Sequence, residues 1–270
     1  MPEGHTLHRL ADQQTRAFAD RVVAVSSPQG RFVDGAALLD GRRLLRVTAY
    51  GKHLFQHYEG HLVTHVHLGL YGKFATGTGD PPPPRGALRM RIETAEPDLP
   101  VHWADLRGAI ACEVLPDPRG VKDIVAGLGP DPLRRNPDRG ARAFERIHRS
   151  KVSVGAQLMD QARIAGIGNV YRAEILFRHR INPFRPGTGL TPEDWAELWP
   201  DLVTLMRSGV RSGRIVTTDP ADRPAGRVRR DTSHYVYRRD GLPCRRCGTP
   251  VSRTEMVGRN LFWCAACQPT

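Results

Sequence analysis

Cys244-Arg245-Arg246-Cys247 and, sixteen residues further on, Cys264-Ala265-Ala266-Cys267 form the stretch on which the reading of this chain turns. Two C-x2-C pairs at this spacing are a four-thiolate arrangement for one tetrahedral zinc ion. With protein in every coordination position, the ion is structural. Gly248 permits the tight turn after the second thiolate, and residues 251–263 read as a β-hairpin. Its tip is expected to carry Arg253, Arg259 and Asn260 toward a partner. Cys112 stands apart and reads as a small core residue.

Upstream, Met159-Asp160-Gln161 leads through Gly166-Ile167-Gly168 into Asn169-Val170-Tyr171-Arg172-Ala173-Glu174, which reads as helix, glycine turn, helix. Asn169 is expected at the cap position, beside backbone N–H groups that suit a phosphate. Helical spacing recurs over residues 141–149, 156–163, 170–178 and 192–211. Residues 217–233 are rich in Arg, Asp and Pro, lack a period, and read as a flexible loop.

Closer to the N-terminus the period changes to two. Leu62, Thr64, Val66 and Leu68 alternate with Val63, His65 and His67, and Leu88, Met90 and Ile92 with Arg89, Arg91 and Glu93. A sandwich or barrel of short strands is expected over residues 22–115, with residues 77–86 as a surface loop. His65 and His67 share the strand face opposite Val66 and read as structural histidines. Before the strands, Leu7, Leu10, Ala11 and Phe18 mark one face of an amphipathic helix. The fold class is thus α+β: an N-terminal helix and β-sandwich lobe (1–120), a linker (121–130), a helical lobe (131–233) and a C-terminal zinc hairpin (234–270).

The formal net charge of +12 over 270 residues implies attraction to a polyanion. No stretch approaches the roughly 20 consecutive apolar residues of a membrane-spanning helix, and no signal pattern opens the chain. A soluble, cytoplasmic protein is expected. Only Lys52, Lys73, Lys122 and Lys151 are lysines, so Lys52 directly after Gly51 is informative. The chain opens Met1-Pro2-Glu3-Gly4. Removal of the initiator methionine before Pro2 leaves a secondary amine with a reference pKa near ~8, partly unprotonated at neutral pH and able to attack a sugar C1′. Glu3 could then move the protons that such chemistry requires.

Taken together, the proline-glutamate start, β-rich lobe, helix-turn-helix lobe and four-cysteine hairpin resemble the formamidopyrimidine-DNA glycosylase/endonuclease VIII family of base-excision repair enzymes over essentially the whole chain. The pieces that carry the resemblance are Pro2-Glu3-Gly4-His5-Thr6, Gly51-Lys52-His53-Leu54, His67-Leu68-Gly69-Leu70-Tyr71-Gly72, Leu128-Gly129-Pro130-Asp131, the 159–171 segment and Gly258-Arg259-Asn260-Leu261-Phe262-Trp263-Cys264. Within the family, the start reads most like the second actinobacterial endonuclease VIII. The resemblance implies a helix-two-turn-helix lobe, Pro2 as Schiff-base nucleophile, Glu3 as general acid and Lys52 as a phosphate contact that assists β-elimination. It further implies that Asn169 and Arg259 grip phosphates, Arg259 also assisting δ-elimination, and that Leu70 and Tyr71 fill the space an extruded nucleotide leaves. The implied partner is damaged DNA, duplex or single-stranded, bound by a monomer.

Some family features are missing. Members specialised for oxidised guanine generally carry a methionine in the loop matching residues 67–72, and an arginine with a nearby phenylalanine on a second loop, which here reads Asp105-Leu106-Arg107-Gly108-Ala109. Gly69 stands where the endonuclease VIII branch prefers a polar side chain, and Gly127 where an arginine is common. Oxidised pyrimidines are therefore the expected substrates. A non-catalytic zinc-dependent DNA-binding protein on the same scaffold would explain the charge and cysteines but leaves Pro2, Glu3 and Lys52 without a purpose. A zinc-ribbon RNA-binding protein leaves the whole N-terminal constellation unexplained.

Overall fold

The computed structural model describes residues 2–96, 100–117, 119–226 and 228–269. Met1 of the start motif, Pro118 at the lobe boundary and Arg227 of the 217–233 loop lie outside the described residues. The chain divides into two compact units, residues 1–127 and 128–270.

The first unit opens with helix α1 (Gly4–Phe18), which buries Leu7, Leu10, Ala11 and Phe18 on the face anticipated from their spacing. Among the described residues eight antiparallel strands follow: β1 (Arg21–Ser26), β2 (Arg42–Tyr50), β3 (His53–Tyr58), β4 (Val63–His67), β5 (Lys73–Thr78), β6 (Leu88–Thr94), β7 (His102–Arg107) and β8 (Ala111–Leu115). Their order is β5-β7-β6-β1-β2-β3-β4-β8. Val23 and Val25, Leu44 and Val47, Leu54, Val66, Ile92, Ala104 and Leu106 all enter one core with α1, so the two halves of the sheet form a sandwich around it. Short helix α2 (Val33–Leu39) lies against β1. The stretch read as a linker carries helix α3 (Arg119–Ala126), whose Val121, Ile124 and Val125 cover Phe55, Val63 and Leu115 on the outer face.

The second unit contains α4 (Arg139–His148), α5 (Val154–Gln157), α6 (Asn169–Arg178) and α7 (Pro192–Ser212). Thr191 and Asp194 form a reciprocal capping box at the start of α7, and Gly213 ends it in the left-handed region at φ 71°. The helix expected over 156–163 stops at Gln157. Asp160 accepts the Ala162 N–H through its side chain, and the Gln161 side chain bonds the Met159 and Ile167 carbonyls and the Gly166 N–H. Those local bonds turn the chain where a helix would run straight. A hairpin, β9 (Ser252–Met256) and β10 (Arg259–Trp263), completes the unit. Its Phe262, Cys244 and Cys264 share a core with Ala173 and Phe177 of α6, so helical lobe and zinc hairpin are packed as one body.

Candidate functional site

In the second unit the four cysteine sulfurs all lie within 4.8 Å of one another, Cys244 to Cys267 at 3.9 Å and Cys247 to Cys264 at 3.5 Å. A tetrahedron with Zn–S bonds near ~2.3 Å has edges close to ~3.8 Å, so the donor set fits zinc in both chemistry and size. It is the only group among the described residues with the make-up of a metal site.

The zinc hairpin is stitched to the N-terminus of α6. Asn169 Nδ2 donates to the Asn260 carbonyl at 2.9 Å, Arg172 donates to the Asn169 Oδ1, and Arg172 also reaches the Met256 carbonyl at 3.3 Å. Gly168, in extended conformation, is the residue that caps α6; Asn169 is the first helical residue and is buried. The cap assignment of Asn169 is thereby corrected: its side-chain amide is taken up by the Asn260 carbonyl and Arg172, and so ties helix to hairpin instead of capping the helix. Val257 and Gly258 form the hairpin tip, both at positive φ, and place Arg259 at the head of β10 with Asn260 exposed beside it. Arg253 is not at the tip. It pairs with Phe262 near the start of β9, at the end of the hairpin away from the tip, and bridges Asp240 at 3.2 Å.

Glu174, which the sequence offered only as part of a motif, is fully buried and accepts the backbone N–H groups of Tyr235, Val236 and Tyr237 at 2.7 to 2.8 Å, together with the Thr217 hydroxyl. Arg178 donates to the Thr217 carbonyl and pairs with Asp201 and Asp219. Both ends of the segment read as a loop, 217–233, are therefore fixed to α6.

In the first unit Pro2 and Glu3 immediately precede α1, with Glu3 at the N-cap in extended conformation and wholly buried. Burial drives the neighbouring His5 down to about 4, keeping it neutral at physiological pH. Gly51, at φ 55°, and Lys52 form the two-residue turn between β2 and β3, because Tyr50 and His53 are the last register pair. The turn presents Lys52 at the sheet end.

The loop after β4 is drawn tight: Gly72 N–H bonds the Leu68 carbonyl, and a Cβ at Gly72 would lie 2.2 Å from that oxygen. Leu68 is buried while Tyr71 is 86% exposed and Leu70 37%. Ile110, 70% exposed after the Gly108 turn, was missed in the sequence. A Cβ on Gly69 would lie 2.6 Å from the Ile110 side chain, so an apolar residue of the neighbouring turn occupies the space that a side chain at position 69 would take. Its only signal was an apolar residue directly after Gly108-Ala109.

Family models for the formamidopyrimidine-DNA glycosylase N-terminal domain, its H2TH domain and the zinc finger found in FPG and IleRS match residues 1–112, 128–220 and 241–270. The chain belongs to the formamidopyrimidine-DNA glycosylase/endonuclease VIII family. It is 49% identical to Endonuclease 8 1 of Mycobacterium tuberculosis over 99% of this chain and 100% of that one. The start of the chain had pointed to the actinobacterial branch numbered 2; the mycobacterial relative bears the number 1. A formamidopyrimidine-DNA glycosylase of Thermus thermophilus is 35% identical over 86% of this chain and 85% of its own. The fold is that of Lactococcus lactis Fpg solved with abasic-site DNA, with a TM-score of 0.81 at 18% identity, covering 99% of this chain and 100% of that one. As a family member the protein is a DNA glycosylase of DNA repair, with one structural zinc. No helix among the described residues is long and apolar enough to cross a membrane.

Because the thiolates share a core with α6, removing zinc from this glycosylase is expected to loosen the hairpin and the helix together. Exhaustive chelation should lower the thermal midpoint by more than about 10 °C, corresponding to several kcal/mol in a domain this size. A shift below about 2 °C in a calorimetric scan would contradict the structural role.

Proposed function

We propose that the protein is a bifunctional DNA glycosylase and AP lyase that removes oxidised bases, pyrimidines in preference to purines, and then cuts the strand. The observation that carries this reading is Glu3, a carboxyl with no solvent exposure, directly after the proline whose amine becomes the N-terminus once Met1 is removed. A carboxyl kept from water at that position serves proton transfer; binding alone has no use for it.

The Pro2 amine attacks C1′ of the damaged nucleotide while Glu3 protonates the opening sugar ring, the base leaves, and an iminium joins Pro2 to the sugar. Loss of a C2′ proton then expels the 3′ phosphate, and a second elimination expels the 5′ phosphate, leaving a one-nucleotide gap with phosphorylated ends. Lys52 contacts phosphate and assists the first elimination. Asn169 and Arg259 hold phosphates flanking the extruded nucleotide, for which the planar, permanently charged fork of Arg259 is better suited than for proton donation. Arg253 and Asn260 add contacts from the hairpin. Leu70, Tyr71 and Ile110 fill the vacated stack. The enzyme works as a monomer on DNA in the cytoplasm. The pyrimidine preference is supported by the absence of both the methionine and the phenylalanine associated with oxidised guanine.

Borohydride trapping on oligonucleotides carrying 5-hydroxyuracil, thymine glycol, 8-oxoguanine or an abasic site tests the nucleophile, the imine chemistry and the base preference together. The expected product is a covalent adduct at residue 2, formed fastest with the oxidised pyrimidines. Faster trapping on 8-oxoguanine would reverse the preference. No adduct on any substrate, with zinc-dependent DNA binding intact, would establish a binding protein that has lost the chemistry.

A further inference from the structure

Three histidines meet on the outer face at the ends of β3 and β4. His53 is the register partner of His67, Phe55 of His65, and His65 of Glu113 on β8. Leu54 and Val66 point the other way, into the core. His53 Nδ1 lies 2.9 Å from His65 Nε2, and His65 Nδ1 lies 2.9 Å from Glu113 Oε1. His67 stands edge-on to His53, with ring centroids 4.8 Å apart and planes at 72°.

Proton positions along this chain follow from what each group can do. An ionised carboxylate only accepts, so His65 carries a proton on Nδ1, and in the neutral ring its Nε2 accepts. His53 must then donate from Nδ1, and its Nε2 keeps a lone pair. His67 has the opposite arrangement: its Nδ1 accepts the Gly69 N–H at 3.1 Å, which places its proton on Nε2. Burial pushes His53 down to about 3, with further lowering from His67, His65 and Lys52, so the ring is neutral at physiological pH. His67 is also lowered, by burial first and then by His65 and Lys52. Lys52 directly precedes His53, in the two-residue turn that joins β2 to β3.

We propose that Glu113, through His65, locks His53, the first residue of β3, in the Nδ1–H tautomer and in one ring orientation, and that this chain positions the adjoining Lys52 for elimination. The proposal rests on the reading of Lys52 as a group that assists the lyase step, and makes Glu113, His65 and His53 positioning residues. Glu113 is 58% exposed, so its replacement spares the core.

The test is carried out on the zinc-loaded enzyme. Ring nitrogen NMR without substrate should show Nδ1–H at His53 and His65 and Nε2–H at His67. In Glu113→Leu the first two should shift to Nε2–H, and Glu113→Asp should restore them. On abasic-site DNA, Glu113→Leu should lower kcat for strand cleavage about tenfold with KM within about twofold, as misplacing a group at fixed binding does, and Glu113→Asp should recover it. An Nε2–H tautomer at His53 in the wild type would overturn the lock, and unchanged cleavage in Glu113→Leu would overturn its role. A wild type that forms no borohydride adduct would overturn the lyase reading instead, while the tautomers still decide the lock.

Discussion

Glu3→Gln is expected to slow base release by about 10²- to 10⁴-fold, the range a positioned general acid supplies, while capture of a preformed abasic site suffers far less. Glutamine has the shape of the carboxyl it replaces and fits the same fully buried position. The turn into α1 depends on the Glu3 backbone, whose carbonyl accepts the Thr6 N–H at 2.8 Å, and not on a side-chain cap. What glutamine lacks is a proton to give. The demand for that proton is greatest while the base is still attached and the sugar ring must open; an abasic sugar already interconverts with its open aldehyde. Pro2→Gly replaces the secondary amine by a primary one and is expected to lower both base release and abasic-site capture, because the nucleophile enters before either step. Single-turnover base release and borohydride capture, measured side by side, separate the two roles. Base release by Glu3→Gln within tenfold of wild type would remove Glu3 from the chemistry.

Legibility in the sequence followed the distance over which each feature is decided. The four cysteines could be read because metal-ligand spacing is local, and Lys52 stood out because lysine is rare in this chain and follows Gly51 directly. The alternation of β4 was less informative, since Val63, Thr64, His65 and Val66 are all buried: the sandwich core takes one face, while the other lies toward α3 and the histidines. Residue type misled at Asn169, a good cap residue that stands one position inside the helix. It misled again over 156–163, where Asp160 and Gln161 bond the backbone and turn it. Ile110, Arg172 and Glu174 could not be found by pattern. Ile110 matters because it meets Gly69 on another loop, and Arg172 reaches the Met256 carbonyl 84 residues away. In both cases the fold, and not the neighbouring sequence, supplies the partner.

Glu174 gives the second large effect. Replacement by alanine is expected to destabilise the second unit by about 3–5 kcal/mol, the range for removing one partner from a buried charged arrangement. Its carboxylate gathers three successive backbone N–H groups, Tyr235 to Tyr237, and the Thr217 hydroxyl, from segments 43 to 63 residues away. Alanine strands the three backbone donors in a site with no solvent exposure at position 174, while the Thr217 hydroxyl keeps the Ser233 carbonyl at 3.1 Å, and each buried donor without a partner costs about 1–3 kcal/mol before the chain relaxes. Glutamine should recover part of the loss, because its carbonyl still accepts while its NH₂ faces donors. The same bonds hold both ends of the 217–233 segment and lead the chain into Cys244, so the damage should reach the zinc hairpin that presents Arg259. Urea unfolding with zinc in excess should therefore rank wild type above Glu174→Gln and Glu174→Ala last, and affinity for abasic-site DNA should follow the same order. Equal stability of the three would mean that water satisfies those donors and that the carboxylate does not organise the segment.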